Sequence, residues 1–207
     1  MRFFLLIIIV GLLSCKPDTA SVASESDTKP QKDELSKAIQ KPKNDIKTNY
    51  NKEGVPDACD LLSKETIARY VRQPVESIIP ADGSSSQSPK ARACFFKWDG
   101  SALANAGVMI QLQKNPVIED VPEYFTYLIS SKKTEGEKNP ATGTTMKYSD
   151  WPGFGDDGAY STEAGKYVWR VGNDWVFMIA FNTVLEPKAQ EVAARAFAQE
   201  AMANMKF

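Results

Sequence analysis

The pattern of hydrophobic and polar positions gives its best strand signal at residues 167–181, two apolar runs separated by a short polar turn. Tyr167-Val168-Trp169-Arg170-Val171 and Trp175-Val176-Phe177-Met178-Ile179-Ala180-Phe181 flank Gly172-Asn173-Asp174, which predicts a β-hairpin. Its second strand is apolar on both faces, so it is expected at the centre of a sheet with something packed on each side. Val108, Ile110 and Leu112 alternate with Met109, Gln111 and Gln113, and Cys94, Phe96 and Trp98 alternate with Phe95 and Lys97. Both segments predict strands with one face in the core. Shorter strands are expected at Val75–Ile79 and Met146–Ser149, with loops over Pro80–Lys90 and Ser130–Thr145.

Helical spacing separates these strands. Ser63 is placed as an N-cap, Leu62 and Ile67 as a hydrophobic staple, and Ile67, Tyr70 and Val71 as the buried stripe of a helix that Gln73-Pro74 ends. Asp120, Pro122 and Glu123 favour a second helix start, with Val121, Phe125, Leu128 and Ile129 on one side. Pro187 opens a third, Pro187–Lys206, in which Ala189, Ala193, Phe197, Ala201 and Met205 recur on one face. Strands clustered between helices predict an α+β fold: a mainly antiparallel sheet packed with about three helices, the C-terminal one covering the sheet.

The first part of the chain has a different character. Met1-Arg2 precedes an apolar run, Phe3 to Leu13, of about 11 residues, within the range of a signal peptide and too short for a bilayer core. Leu12-Leu13-Ser14-Cys15 resembles the lipobox of bacterial lipoproteins, which implies cleavage before Cys15 and acylation of its sulfur. Residues 1–14 are then a lipoprotein signal peptide. Residues 15–54 are rich in Lys, Asp, Glu, Ser, Thr, Gln and Pro, with Tyr50 the lone aromatic, and are expected to form a lipidated, disordered tether. Such a chain holds its load about 35 Å from the anchor on average. Its lysines are interleaved with acids, so it reads as a solvated spacer rather than a lipid-binding arm. Residues 55–207 are expected to make a single globular domain. Lys16 after the cysteine resembles the pattern sorted to the outer membrane, facing the periplasm, in cells with two membranes.

In an exported chain with Cys15 acylated, Cys59 and Cys94 remain as a pair, and a disulfide between them is expected. Closing that loop of roughly 35 residues stabilises a fold by about 3 to 4 kcal/mol in the chain-entropy model. The absence of any histidine removes Ser-His-Asp and Cys-His catalysis and histidine metal sites. No phosphate-binding loop, dinucleotide fingerprint or EF-hand pattern is present, so no cofactor or metal is expected. A formal charge of −1 without a basic stripe argues against nucleic acid as a partner. Carboxylate chemistry stays open: Asp156 and Asp157 stand beside glycines and near Trp151, Tyr160 and Trp169, and those five are the candidate ligand-binding residues. The plainer reading makes Gly155–Gly158 a turn whose glycines supply positive φ and whose acids face water.

Four segments, Asp57-Ala58-Cys59-Asp60-Leu61-Leu62-Ser63-Lys64-Glu65, Cys94-Phe95-Phe96-Lys97-Trp98, Gly155-Asp156-Asp157-Gly158-Ala159 and Val168-Trp169-Arg170-Val171-Gly172, together resemble a group of small bacterial lipoproteins of unknown function, best known from actinobacteria. The resemblance implies an α+β domain with a disulfide and supplies no catalytic residue. The expected function is that of a membrane-anchored envelope lipoprotein. It would act as a non-catalytic binding or accessory module for an envelope protein, lipid or glycan. The alternative is a histidine-free, carboxylate-dependent hydrolase of an envelope glycan.

Overall fold

The computed structural model describes residues 49–99 and 103–205. The signal peptide, Cys15 and most of the tether lie outside the described residues. The strands are β1 (Ile79–Asp82), β2 (Ala91–Lys97), β3 (Gly107–Lys114), β4 (Glu137–Lys138), β5 (Thr145–Met146), β6 (Ser149–Asp150), β7 (Asp157–Ser161), β8 (Lys166–Val171) and β9 (Trp175–Asn182). The helices are α1 (Lys64–Val71), α2 (Tyr124–Thr134) and α3 (Pro187–Asn204). Seven strands form one antiparallel sheet in the order β1-β2-β3-β9-β8-β7-β6, and β4 pairs with β5 in a separate small ribbon.

The hairpin predicted from alternation is β8–β9, in register from Lys166–Ala180 to Val171–Trp175, and β9 sits at the centre of the sheet against β3. Both faces of β9 are packed. Phe177, Ile179 and Phe181 join the main core with α1 and α3, while Val176 and Met178 face a smaller cluster built on Phe125 and Ile129 of α2. α3 covers the first face, with Phe197 stacked on Phe181 at 5.9 Å and edge-on to Tyr70 of α1 at 5.8 Å. Burying these rings removes large apolar areas from water, and their offset and edge-to-face contacts add to that gain.

Ser63 caps α1 by accepting the Thr66 N–H, and Leu62 and Ile67 are both buried beside it. Cys59, in a 3-10 turn at Ala58–Asp60, is disulfide-bonded to Cys94 of β2. No helix among the described residues is long and apolar enough to cross a membrane.

Several local expectations change. Val75–Ser77 is a 3-10 turn, and the strand follows it as β1, which includes Pro80. A proline is tolerated there because β1 is an edge strand, where an N–H need not be donated. α2 begins only at Tyr124, leaving Val121 exposed ahead of it, and runs on through Thr134 into the expected loop. Its stop is Gly136, whose φ of +81° turns the chain while its N–H bonds to Lys132 O. Met146 belongs to the β4–β5 ribbon, and β6 begins at Ser149. Asp157 and Gly158 are strand residues of β7. The folded part also starts before Val55: Tyr50 bridges to Pro56, and the Asn51 side chain donates to Pro89 O at 2.7 Å. Composition did not reveal this, because polar side chains bonding to backbone resemble solvated ones in a sequence.

Candidate functional site

The five candidate residues fall into two groups. Trp151 and Trp169 are buried on the α3 side of the sheet, where their rings meet at 5.6 Å, and Trp151 also packs against Phe154 at 4.9 Å and Tyr167 at 5.2 Å. The guanidinium of Arg195, on α3, lies 5.7 Å from the Trp151 ring centre and donates to Pro152 O at 3.1 Å. Trp169 Nε1 donates to Met202 Sδ. Tyr160 is half-buried and stacked on Tyr167 at 5.8 Å. Burial, followed by the charge of Glu191, pushes the Tyr167 phenol up to about 12, so it stays neutral. These aromatics pin the 151–156 segment under α3 and present no ring face to solvent from the tryptophans.

The acids are engaged as well. Asp156 Oδ2 accepts the backbone N–H of Gly172 at 2.6 Å and lies 3.6 Å from Arg170 Nη1. Asp157 pairs with Lys133 of α2 at 2.6 Å, and Lys133 also reaches Asp150 at 2.7 Å. Burial alone would lower the Lys133 ammonium, yet the hydrogen bonds and charges of Asp150 and Asp157 hold it above its ordinary value. The expected turn with water-facing acids holds for Gly155 and the exposed Asp156, while Asp157 is latched to Lys133 and belongs with Gly158 to β7. Gly155 does have positive φ, +58°, but Gly158 does not. Gly158 is needed because a Cβ there would sit 2.7 Å from Trp151 O and 3.0 Å from Val168 O. Among the described residues, no group of three or more His, Cys, Asp or Glu side chains is placed to hold a metal ion.

A second polar cluster lies within the segment read as a charged loop. Glu137 of β4 pairs with Lys132 of α2 at 2.8 Å, with Lys166 of β8, and accepts the Tyr148 hydroxyl at 2.8 Å. Burial raises the Glu137 carboxyl, but the bonds from Lys132, Lys166 and Tyr148 outweigh it and hold it down at about 2. Burial and then Glu137 push the Tyr148 phenol up. This network fastens the ribbon to α2 and the sheet, and it has no sequence motif.

A larger depression lies elsewhere on the sheet. α2 covers the second sheet face over β7, β8 and part of β9, and among the described residues no helix packs on the half made by β2 and β3. Phe95, Met109, Gln111, Gln113, Met178 and Ala180 are half-buried on it, with Met109 opposite Phe95 and Gln111 opposite Met178. Gly107 has no side chain because the Phe95 ring lies where its Cβ would be, 2.4 Å away. A depression of about 490 Å³ runs between these strands and the serine-rich loop at Ser84, Ser85 and Ser88, and Gln111 and Gln113 carry it on to Leu128 of α2. The glutamines and methionine at alternate positions of β3 were the available sequence signal. Period alone showed only that this face is not core. Compared with known protein families, curated proteins and solved structures, the chain matches none.

Proposed function

We propose that the protein is a lipid-anchored accessory lipoprotein of the cell envelope, held through Cys15, whose domain binds a partner without catalysing a reaction. The observation that carries the reading is the uncovered half of the second sheet face. Met109 and Ala93 lie in its depression with the amides of Gln111 and Gln113 and the hydroxyls of the serine loop, and the same glutamines border Met178 and Leu128 on the side of α2. A concave surface with an apolar floor and a few polar groups suits capture of an envelope protein, lipid or glycan. The hydrolase reading needs two acids free in a cleft about 5 to 10 Å apart. Asp156 and Asp157 are instead bonded to Gly172 and Lys133.

Two experiments test this. Cells grown with labelled palmitate should label the wild-type chain and leave Cys15→Ala unlabelled and released from the membrane. In a strain lacking the protein, Met109→Glu with Gln111→Glu should fail to complement although it folds. Asp156→Asn with Asp157→Asn, if folded, should complement. The reverse pattern would favour the hydrolase.

A further inference from the structure

The end of α1 and the start of α3 enclose a shallow groove that carries Arg69, Arg72 and Lys188, with Val192 at one side. All three cations are exposed, and none forms an ion pair among the described residues, where eight pairs link other side chains. Glu186 is the one acid lining the groove, leaving a local positive excess in a chain of net charge −1. Two of the more exposed aliphatic side chains of the domain belong to this region: Val192, at 52%, lines the groove, and Val184, at 70%, directly precedes Leu185, another lining residue.

We propose that this surface docks on an anionic phospholipid bilayer. Arg69, Arg72 and Lys188 would meet headgroup phosphates, and Val184 and Val192 would enter the headgroup–acyl boundary one layer deeper. Cations flanked by protruding aliphatics fit that interface, which offers negative charge outside and apolar material beneath. A nucleic acid would call for a longer basic track and stacking aromatics. The inference stands on this surface and not on acylation of Cys15. If both hold, the groove turns the tethered domain down onto its own membrane, and a single anchor gains a second contact at high effective concentration.

The test uses the chain without residues 1–14 and with Cys15→Ser, so that no acyl group contributes. It should sediment with vesicles of phosphatidylglycerol and phosphatidylcholine, and much less with phosphatidylcholine alone. Raising salt should weaken the binding, because screening shortens the reach of these charges. Each cation removed should weaken partitioning about fivefold, from the usual contribution of a basic residue near an anionic surface. The variants are Arg69→Gln, Arg72→Asn and Lys188→Gln. Asn is chosen at residue 72 because the backbone there is left-handed, with φ of 57°. Val184→Asn with Val192→Asn should also reduce binding at unchanged charge. As a control, Lys52→Gln, Lys97→Gln and Lys147→Gln remove as much charge from elsewhere and should leave binding within twofold. Equal loss in the control, equal binding to neutral vesicles, or binding to a single-stranded oligonucleotide but not to anionic vesicles would overturn the proposal.

Discussion

Asp156 Oδ2 accepts the backbone N–H of Gly172 at 2.6 Å, joining the segment before β7 to the turn of the β8–β9 hairpin. Arg170 supports the same turn by donating to Gly172 O at 3.0 Å. A carboxylate bonded to a backbone N–H is a charge-assisted contact, partly screened here because Asp156 is half-exposed. Asp156→Ala should therefore lower unfolding stability by about 1 kcal/mol. Urea denaturation measures this, and an unchanged midpoint would show the contact to be idle.

Glu137 gives the stability a pH dependence of predictable sign. Its carboxyl is held at about 2, below its ordinary 4.5, so its stabilising effect is complete above the ordinary value and is lost as pH falls towards 2. Glu137→Gln should cost about 1 to 2 kcal/mol near neutral pH, the loss expected for bonds to a charged acceptor. The gap between wild type and variant should close as the pH is lowered through that window. A gap independent of pH would place the titration elsewhere.

The Cys59–Cys94 bond closes a loop across 35 residues of sequence. Replacing both with Ala should cost about 3 to 4 kcal/mol, because the unfolded chain regains the freedom the crosslink removes. Peptide mapping of the non-reduced protein should find the two halves joined, and free alkylation of both thiols in the folded, exported chain would contradict the pairing.

At Gly158 the added methyl of an Ala would meet two backbone carbonyls, which cannot swing aside as a flexible side chain can. Gly158→Ala should destabilise by about 2 kcal/mol or more through a shift of the β7–β8 pairing. Gly143→Ala, with nothing within 4 Å of its added Cβ, would show only the backbone cost of its positive φ of 71°. Thermal melts of the two should separate crowding from conformation.

The parts of the fold legible in the sequence were those with a period. β3, β8, β9 and α3 were visible because burial on one face or two imposes spacing, and Ser63 because a cap has a residue preference. The Cys59–Cys94 pairing followed from counting. β4 was missed, and β5 and β6 were merged into one expected strand at Met146–Ser149, because two-residue strands have no period to display. The roles of Asp156, Asp157 and Glu137 depend on Gly172, Lys133, Lys166 and Tyr148, which are distant in sequence or carry no motif. Trp151 and Trp169 looked like ligand-facing aromatics, but nothing in local sequence distinguishes a core tryptophan from an exposed one.

The strand order has a consequence for a chain that emerges from its N-terminus first. β3 has β2 on one side and β9 on the other, and the β3–β9 pairing joins Gly107 to Asn182. The middle of the sheet cannot close until the last strand has been delivered. Until then the apolar sides of Val108, Ile110 and Leu112 have neither β9 beside them nor α3 above them. β1, β2 and β3 can pair, and Cys59 can find Cys94, well before that moment. Oxidation of this pair can thus precede the final collapse, which waits on nearly the whole sequence and makes the nascent intermediate, rather than the finished domain, the species most in need of protection from aggregation.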